Sequence, residues 1–225
     1  MTVAACVVLV TVLGWLVRHD GALPRWDARV VADVASRRGD ATVDLARAIT
    51  LLGDFRVLAI LAVALVAATV VARRRATDLS ADHVPGHVRD APPSGPRRWS
   101  TATAALPGIA LLTAGALNPL LKAIVDRPRP PEVLHRVTES SSGFPSGHSA
   151  HSAAAWLCLG LLLWATGRSR IAVAACVAAT VLVGASRVVL AVHSPTDVVA
   201  GWAVGLAVAV VVLAVASARS GRRPT

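Results

Sequence analysis

The apolar residues of this chain are gathered into long blocks, and block length decides the solvent in which such a chain can fold. A helix needs about 20 residues to cross the hydrocarbon of a bilayer. Six blocks reach or approach that length, at roughly 2–17, 56–72, 101–122, 148–167, 170–192 and 195–218. The first two sit near the lower limit. A helix on the surface of a soluble bundle carries an apolar stripe, whereas these segments are apolar all round. The expected fold class is therefore all-α: a polytopic membrane protein with six transmembrane helices packed as a bundle. The N-terminal block lacks a basic leading region and a small-residue cleavage site, so it is read as a retained first helix and not as a signal peptide.

A net charge of +10 would fit a nucleic-acid binder, but in a membrane protein it reports orientation. With the N-terminus inside, the cytoplasmic segments hold 11 basic residues and the outer ones 12, of which four belong to polar motifs. Setting those aside leaves 11 inside against eight outside. Both termini are accordingly placed in the cytoplasm and loops 123–147 and 187–197 outside. No nucleic-acid partner is expected. Cys6, Cys158 and Cys176 all lie in apolar blocks and read as small buried hydrophobes. No cysteine–histidine cluster has zinc-ligand spacing, and no cofactor is expected.

Segment 18–55 mixes Trp26, Val30, Val34, Val43, Ile49 and Leu52 with arginines and aspartates, as one or two interfacial amphipathic helices would. It is read as a solvated hairpin or as a gate beside the outer loops. Segment 73–100 opens on three arginines and is rich in proline. It reads as a flexible cytoplasmic linker within a single domain, 1–225. His83 and His87 in it read as solvated loop residues.

The chain has 22 arginines and one lysine, Lys122, at the end of the third block. A lone lysine marks a place where a compact ammonium is wanted instead of a planar fork. Asn118-Pro119 before it is expected to kink the helix. Lys122 and Arg129 flank a proline-stiffened loop, where two cations would repel unless an anion lay between them. Alone, each would be an interfacial snorkelling residue. Pro145-Ser146-Gly147-His148 opens the fourth block. Ser146 can cap the helix, the amides around Gly147 can bind an anion, and His148 can give or take a proton. His151, three residues on, either lines the same site or is structural. In Ser186-Arg187 through His193-Ser194-Pro195-Thr196-Asp197, Pro195 suits the first position of the sixth helix. Asp197 there is either one half of a capping box with Ser194 or the group that orients the imidazole of His193.

In order and in spacing, these clusters resemble the three motifs of the type 2 phosphatidic acid phosphatase superfamily, K-x-x-x-x-x-x-R-P, P-S-G-H and S-R-x-x-x-x-x-H-x-x-x-D. The motif region covers 122–197. Two Arg-Pro pairs occur; the family spacing selects Arg129 and leaves Arg127 without an assigned role. The resemblance implies that Lys122, Arg129 and Arg187 hold phosphate oxygens with Ser146 and the Gly147 amide. It implies that His193 attacks phosphorus, that Asp197 orients it, and that His148 protonates the leaving oxygen and then activates water. Such a site carries its own cations, so metal-independent hydrolysis of a membrane lipid phosphate is expected. The implied substrates are undecaprenyl diphosphate, phosphatidylglycerol phosphate and phosphatidic acid. The competing readings are a phosphotransferase of the same family and a non-enzymatic membrane transporter or scaffold.

Overall fold

The computed structural model describes residues 2–19, 21–81 and 99–220. Among them every regular element is helical. In chain order these are α1 (Thr2–His19), α2 (Ala22–Arg37), α3 (Asp40–Thr50), α4 (Phe55–Ala81), α5 (Thr101–Val125), α6 (Gly147–Ser152), α7 (Cys158–Ala165), α8 (Arg170–Val189) and α9 (Pro195–Ser220). Short 3-10 turns occupy Leu51–Gly53 and Glu132–Leu134, and a π turn, Ala153–Leu157, joins α6 to α7.

Five helices, α1, α4, α5, α8 and α9, are long and apolar enough to cross a membrane. The fourth expected span is helical from 147 to 165, but the π turn divides it, so no single uninterrupted helix covers it. Wide π turns commonly sit beside functional sites. Here Trp156 of that turn donates its indole N–H to the Leu52 carbonyl (2.9 Å), which ties the 3-10 turn after α3 to the bundle. Segment 18–55 forms two helices, within the one or two expected. Val31, Val43, Ala46 and Asp27 turn inward, while Trp26 and Leu52 remain exposed. Helix α4 continues to Ala81, so the first part of the expected linker is helix; its remainder, 82–98 with His83 and His87, lies outside the described residues.

The packing is that of a bundle in lipid. Large apolar side chains point outward on every long helix, among them Val8 and Trp15 of α1, Ile60 and Val63 of α4, Leu120 and Ile124 of α5, and Ile171 of α8. The interior is lined by small residues: Ala104, Ala110, Ala114, Ala150, Ala153, Ala154, Ala200 and Ala209 are fully buried. With lipid as apolar as leucine, helices gain by close contact, and small residues permit it. Cys6, Cys158 and Cys176 are free and buried, as expected of small hydrophobes.

Helix α9 is central, and Gly201-Trp-Ala-Val-Gly205 is its contact with α6. A Cβ at Gly201 would stand 2.6 Å from the Ser146 carbonyl oxygen, and one at Gly205 would meet the Ala150 carbonyl and stand 2.7 Å from the Ala154 nitrogen. Backbone atoms cannot yield as a side-chain tip can. Gly205→Ala is expected to cost about 1–3 kcal/mol by overpacking and to lower the midpoint of thermal unfolding in detergent by about 5 °C. An unchanged midpoint would show that the two helices can separate freely.

Helix directions place the polar loops together. Arg73 donates to the Trp99 carbonyl (3.4 Å), and the Arg168 guanidinium lies 4.9 Å over the Trp99 ring, so these mark one end of the bundle. The C-terminal ends of α5 and α8, the N-terminal ends of α6 and α9, and helices α2 and α3 form the other.

Candidate active site

Lys122 lies in the last turn of α5, which runs through Pro107 and Pro119 to Val125. Its ammonium donates to the Ser142 carbonyl. Asp126 then turns left-handed (φ 42°) and starts the loop that carries Arg127 and Arg129. Arg129 donates to the Ser141 carbonyl (2.5 Å), to the Val192 carbonyl (2.7 Å) and to Nε2 of His193 (3.2 Å). Arg187 ends α8 only 1% exposed. One of its terminal nitrogens bonds the Thr50 hydroxyl (2.9 Å) and the other bonds Glu139.

Ala191 takes a left-handed conformation (φ 57°), which costs an L-residue about 1–2 kcal/mol. That reversal turns Val192 and His193 back into the bundle, where His193 is 1% exposed. An arginine N–H only donates, so the contact with Arg129 requires a bare Nε2 and leaves the imidazole proton on Nδ1. Nδ1 faces Asp197 Oδ2 at 3.7 Å, across a gap too long for a hydrogen bond. Asp197, in the first turn of α9, accepts from the Ser194 amide with that same oxygen (2.8 Å). Asp197 thus caps its own helix start, and its capping oxygen lies toward the histidine without bonding it. The Asp197 carbonyl also accepts from the Ser146 amide (2.9 Å), which joins the second motif to the third.

Ser146 caps α6, with its hydroxyl accepting from the Ser149 amide (3.4 Å) and from the Ser149 hydroxyl (2.9 Å). Its oxygen is thus engaged within the helix start, and the capping role expected of it is the one displayed. Gly147 is the first residue of α6, where the backbone amides have no carbonyl within the helix to bond. His148 follows, beside Gly53 and within electrostatic reach of Arg187, His151, His193 and Arg129. Lys122 is in similar reach of Arg129, Glu139, Asp197 and Arg187. His151 stacks edge-on against Phe55, with ring centres 5.4 Å apart, and so packs on α4. All eight residues named from the motifs are brought to this one end of the fold.

Among the residues at this end not singled out in the sequence, four hold Lys122, Arg129 and Arg187. Glu139 bridges Arg129 (3.3 Å) and Arg187, so a carboxylate lies where the cations converge. Thr50 of α3 holds Arg187, and Ser141 and Ser142 offer carbonyls to Arg129 and Lys122. Their types carry no motif, and the sequence offered no signal for them.

Burial, and then the neighbouring Arg129, Arg187 and Lys122, hold the His193 imidazole well below the ordinary histidine value, with Glu139 opposing. The ring stays neutral in the folded protein where an unfolded chain would protonate it, below pH 6.5. Unfolding then takes up a proton, so stability is full above that pH and falls as pH drops, by about 1.4 kcal/mol per pH unit for one group. The midpoint of thermal unfolding is expected to fall between pH 7.5 and 5.5, and to fall less in His193→Gln. Equal slopes in the two proteins would contradict the neutral assignment.

A family model described as the PAP2 superfamily matches residues 103–220, just over half of the chain. The chain belongs to the PAP2 superfamily. Its matched part takes in the PAP2 motifs from Lys122 to Asp197, and leaves α1 to α4 outside. Phosphatidylglycerophosphatase B of Bacillus subtilis (strain 168) is 40% identical over 96 residues, which are 40% of this chain and 46% of that protein. The chain thus spans about half the length of the curated relative it matches. The crystal structure of a transmembrane PAP2-type phosphatidylglycerolphosphate phosphatase from Bacillus subtilis superposes with a TM-score of 0.79 over 99% of both chains, at 24% identity. The helical fold, including the segments beyond the PAP2 match, is therefore shared, and this chain is a multi-pass membrane protein.

Proposed function

We propose that this protein is an integral-membrane lipid phosphatase that works through a phosphohistidine intermediate. The observation that carries the reading is the contact between Nε2 of His193 and the guanidinium of Arg129 (3.2 Å): a bare, neutral nucleophile lies beside a phosphate-binding cation. Lys122, Arg129 and Arg187 converge where three phosphate oxygens would sit, with the Gly147 amide at the helix start. A phosphate dianion takes over the arginines that Glu139 now bridges. Such fixed cations stabilise the charge that spreads over phosphorus in the transition state.

In the first step the Nε2 lone pair forms an N–P bond as the P–O bond to the lipid breaks, and His148 gives its proton to the leaving oxygen. In the second, water attacks phosphorus, His148 takes the water proton, and the P–N bond breaks to release phosphate and restore His193. Asp197 keeps the Nδ1 proton in place and balances the imidazolium charge. The carboxylates nearest the cations are already held, Asp197 by Arg127 and Glu139 by two arginines, so the chemistry is written without a metal ion.

The helical stretch 147–165, divided by its π turn, is read as a sixth crossing beside the five long helices. Both termini are cytoplasmic and the site faces outward, where a headgroup phosphate on an embedded tail meets water. The named activity of the Bacillus relative makes phosphatidylglycerol phosphate the foremost candidate substrate, ahead of undecaprenyl diphosphate and phosphatidic acid. Phosphate release from these three lipids in detergent, with and without EDTA, tests the reading. Release that persists in chelator and stops with orthovanadate supports it. Phosphoryl transfer to an added alcohol with no free phosphate would make the protein a transferase, and no turnover of any lipid would remove the enzyme assignment.

A further inference from the structure

Behind Asp197 runs a buried chain of polar groups that the three motifs leave unassigned. Arg127 is 8% exposed, Asp27 1% and Asp197 fully buried. One terminal nitrogen of Arg127 donates to Asp197 Oδ1 (2.5 Å) and to the Thr196 hydroxyl (2.8 Å). The other donates to Asp27 Oδ2 (2.7 Å). Thr196 in turn donates its amide to Asp27 Oδ1 (3.2 Å), and its hydroxyl also bonds that carboxylate. Asp27 comes from α2, outside the stretch that matches the family model.

The two oxygens of Asp197 are thereby divided. Oδ1 is pinned from behind by Arg127, and Oδ2 is left for the Ser194 amide and the face of His193. Held by Arg127 on Oδ1 and by the Ser194 amide on Oδ2, the carboxylate is fixed in rotation, and the second nitrogen of Arg127 is itself anchored by Asp27. We propose that Arg127 is a positioning residue for Asp197, and that Asp27 makes α2 a working part of the catalytic end of the bundle. A lysine supplies the charge and three donors on one nitrogen, but not two nitrogens fixed in a plane to reach Asp197 and Asp27 together, and without a cation two buried carboxylates would face each other. The proposal rests on the phosphatase reading.

The test uses the full chain in detergent micelles with whichever of phosphatidylglycerol phosphate, undecaprenyl diphosphate and phosphatidic acid the wild type turns over fastest, measuring phosphate release, thermal unfolding and the upward shift of the unfolding midpoint with orthovanadate. Arg127→Lys is expected to lower kcat about 100-fold with KM within about two-fold, the scale of a small misplacement of a catalytic group. Its vanadate shift is retained, because the phosphate ligands are untouched. Asp27→Asn is expected to lower kcat about ten-fold, and the double variant to be no slower than Arg127→Lys alone, since both act on one bond network. An unchanged kcat would reduce the network to a structural one. A raised KM with a lost vanadate shift would make Arg127 a phosphate ligand, and additive losses would uncouple Asp27 from it. Each of these overturns the proposal. If Arg127→Lys does not fold, Thr196→Val decides: it removes one hydroxyl from the chain and should lower kcat about five-fold at constant KM, whereas no change overturns the proposal. Wild-type protein that releases no lipid phosphate fails the phosphatase reading itself, and with it this proposal. Active wild type with unaffected variants fails only the positioning role.

Discussion

His193→Ala is expected to lose turnover by a factor of about 10⁴ or more while the protein still folds and still takes up vanadate. Removing the nucleophile of a covalent mechanism costs losses of this order in enzymes with a nucleophile–base–orienter set. The fold should survive because the loop does not depend on the imidazole. Leu190, Ala191 and Val192 are fully buried beside it, the Val192 amide bonds the Arg187 carbonyl (3.2 Å), and Arg129 bonds the Val192 carbonyl (2.7 Å). The lost side chain leaves Arg129 without its imidazole acceptor but with the Val192 and Ser141 carbonyls in hand. Initial rates of phosphate release, beside an unfolding curve with and without vanadate, read both parts. A rate above about a tenth of wild type would show that His193 is not the attacking group.

Arg187→Lys is expected to lower kcat/KM by about 10²–10³-fold, the loss typical of one fixed donor to transition-state charge. Arg187 is buried and works in two directions at once, toward Thr50 of α3 and toward the place where Glu139 now lies. An ammonium can occupy one of those positions but not both, and the pair of bonds is what aims the group across a chain separation of 137 residues. Phosphate release and vanadate affinity should fall together if, as proposed, Arg187 touches phosphate in the ground state and the transition state alike. Retention of activity within about three-fold would show that only the point charge matters.

These expectations depend on parts of the molecule that differ in how visible they are in the chain. Lys122, Arg129, His148, Arg187, His193 and Asp197 were named through the resemblance to the family motifs, and the fold brings them to one end of the bundle. Ser146 was readable as a helix cap, and the structure displays it as the cap of α6. The five long helices were readable from length and apolarity alone. The fourth span was readable as apolar, but the π turn inside it was not, because a wide turn depends on how Trp156 meets Leu52 across the bundle. In 18–55 the amphipathic character was readable, but not that Asp27 and Val31 turn into the bundle. A carboxylate on an inward face looks like an error in an apolar stripe until its partner is seen.

What the linear order of residues determined was the solvent, the helical class and the motif set, since each follows from composition or from contacts within a few turns of backbone. What only the tertiary structure decided was the company those motifs keep: Glu139 between two arginines, Thr50 behind Arg187, and Asp27 with Arg127 behind Asp197. Those partners lie on different helices, and charge complementarity over such separations leaves no period or spacing in a sequence. It arises because a buried charge needs an opposite charge or a directed hydrogen bond, and the packed bundle alone settles which residue is near enough to supply one.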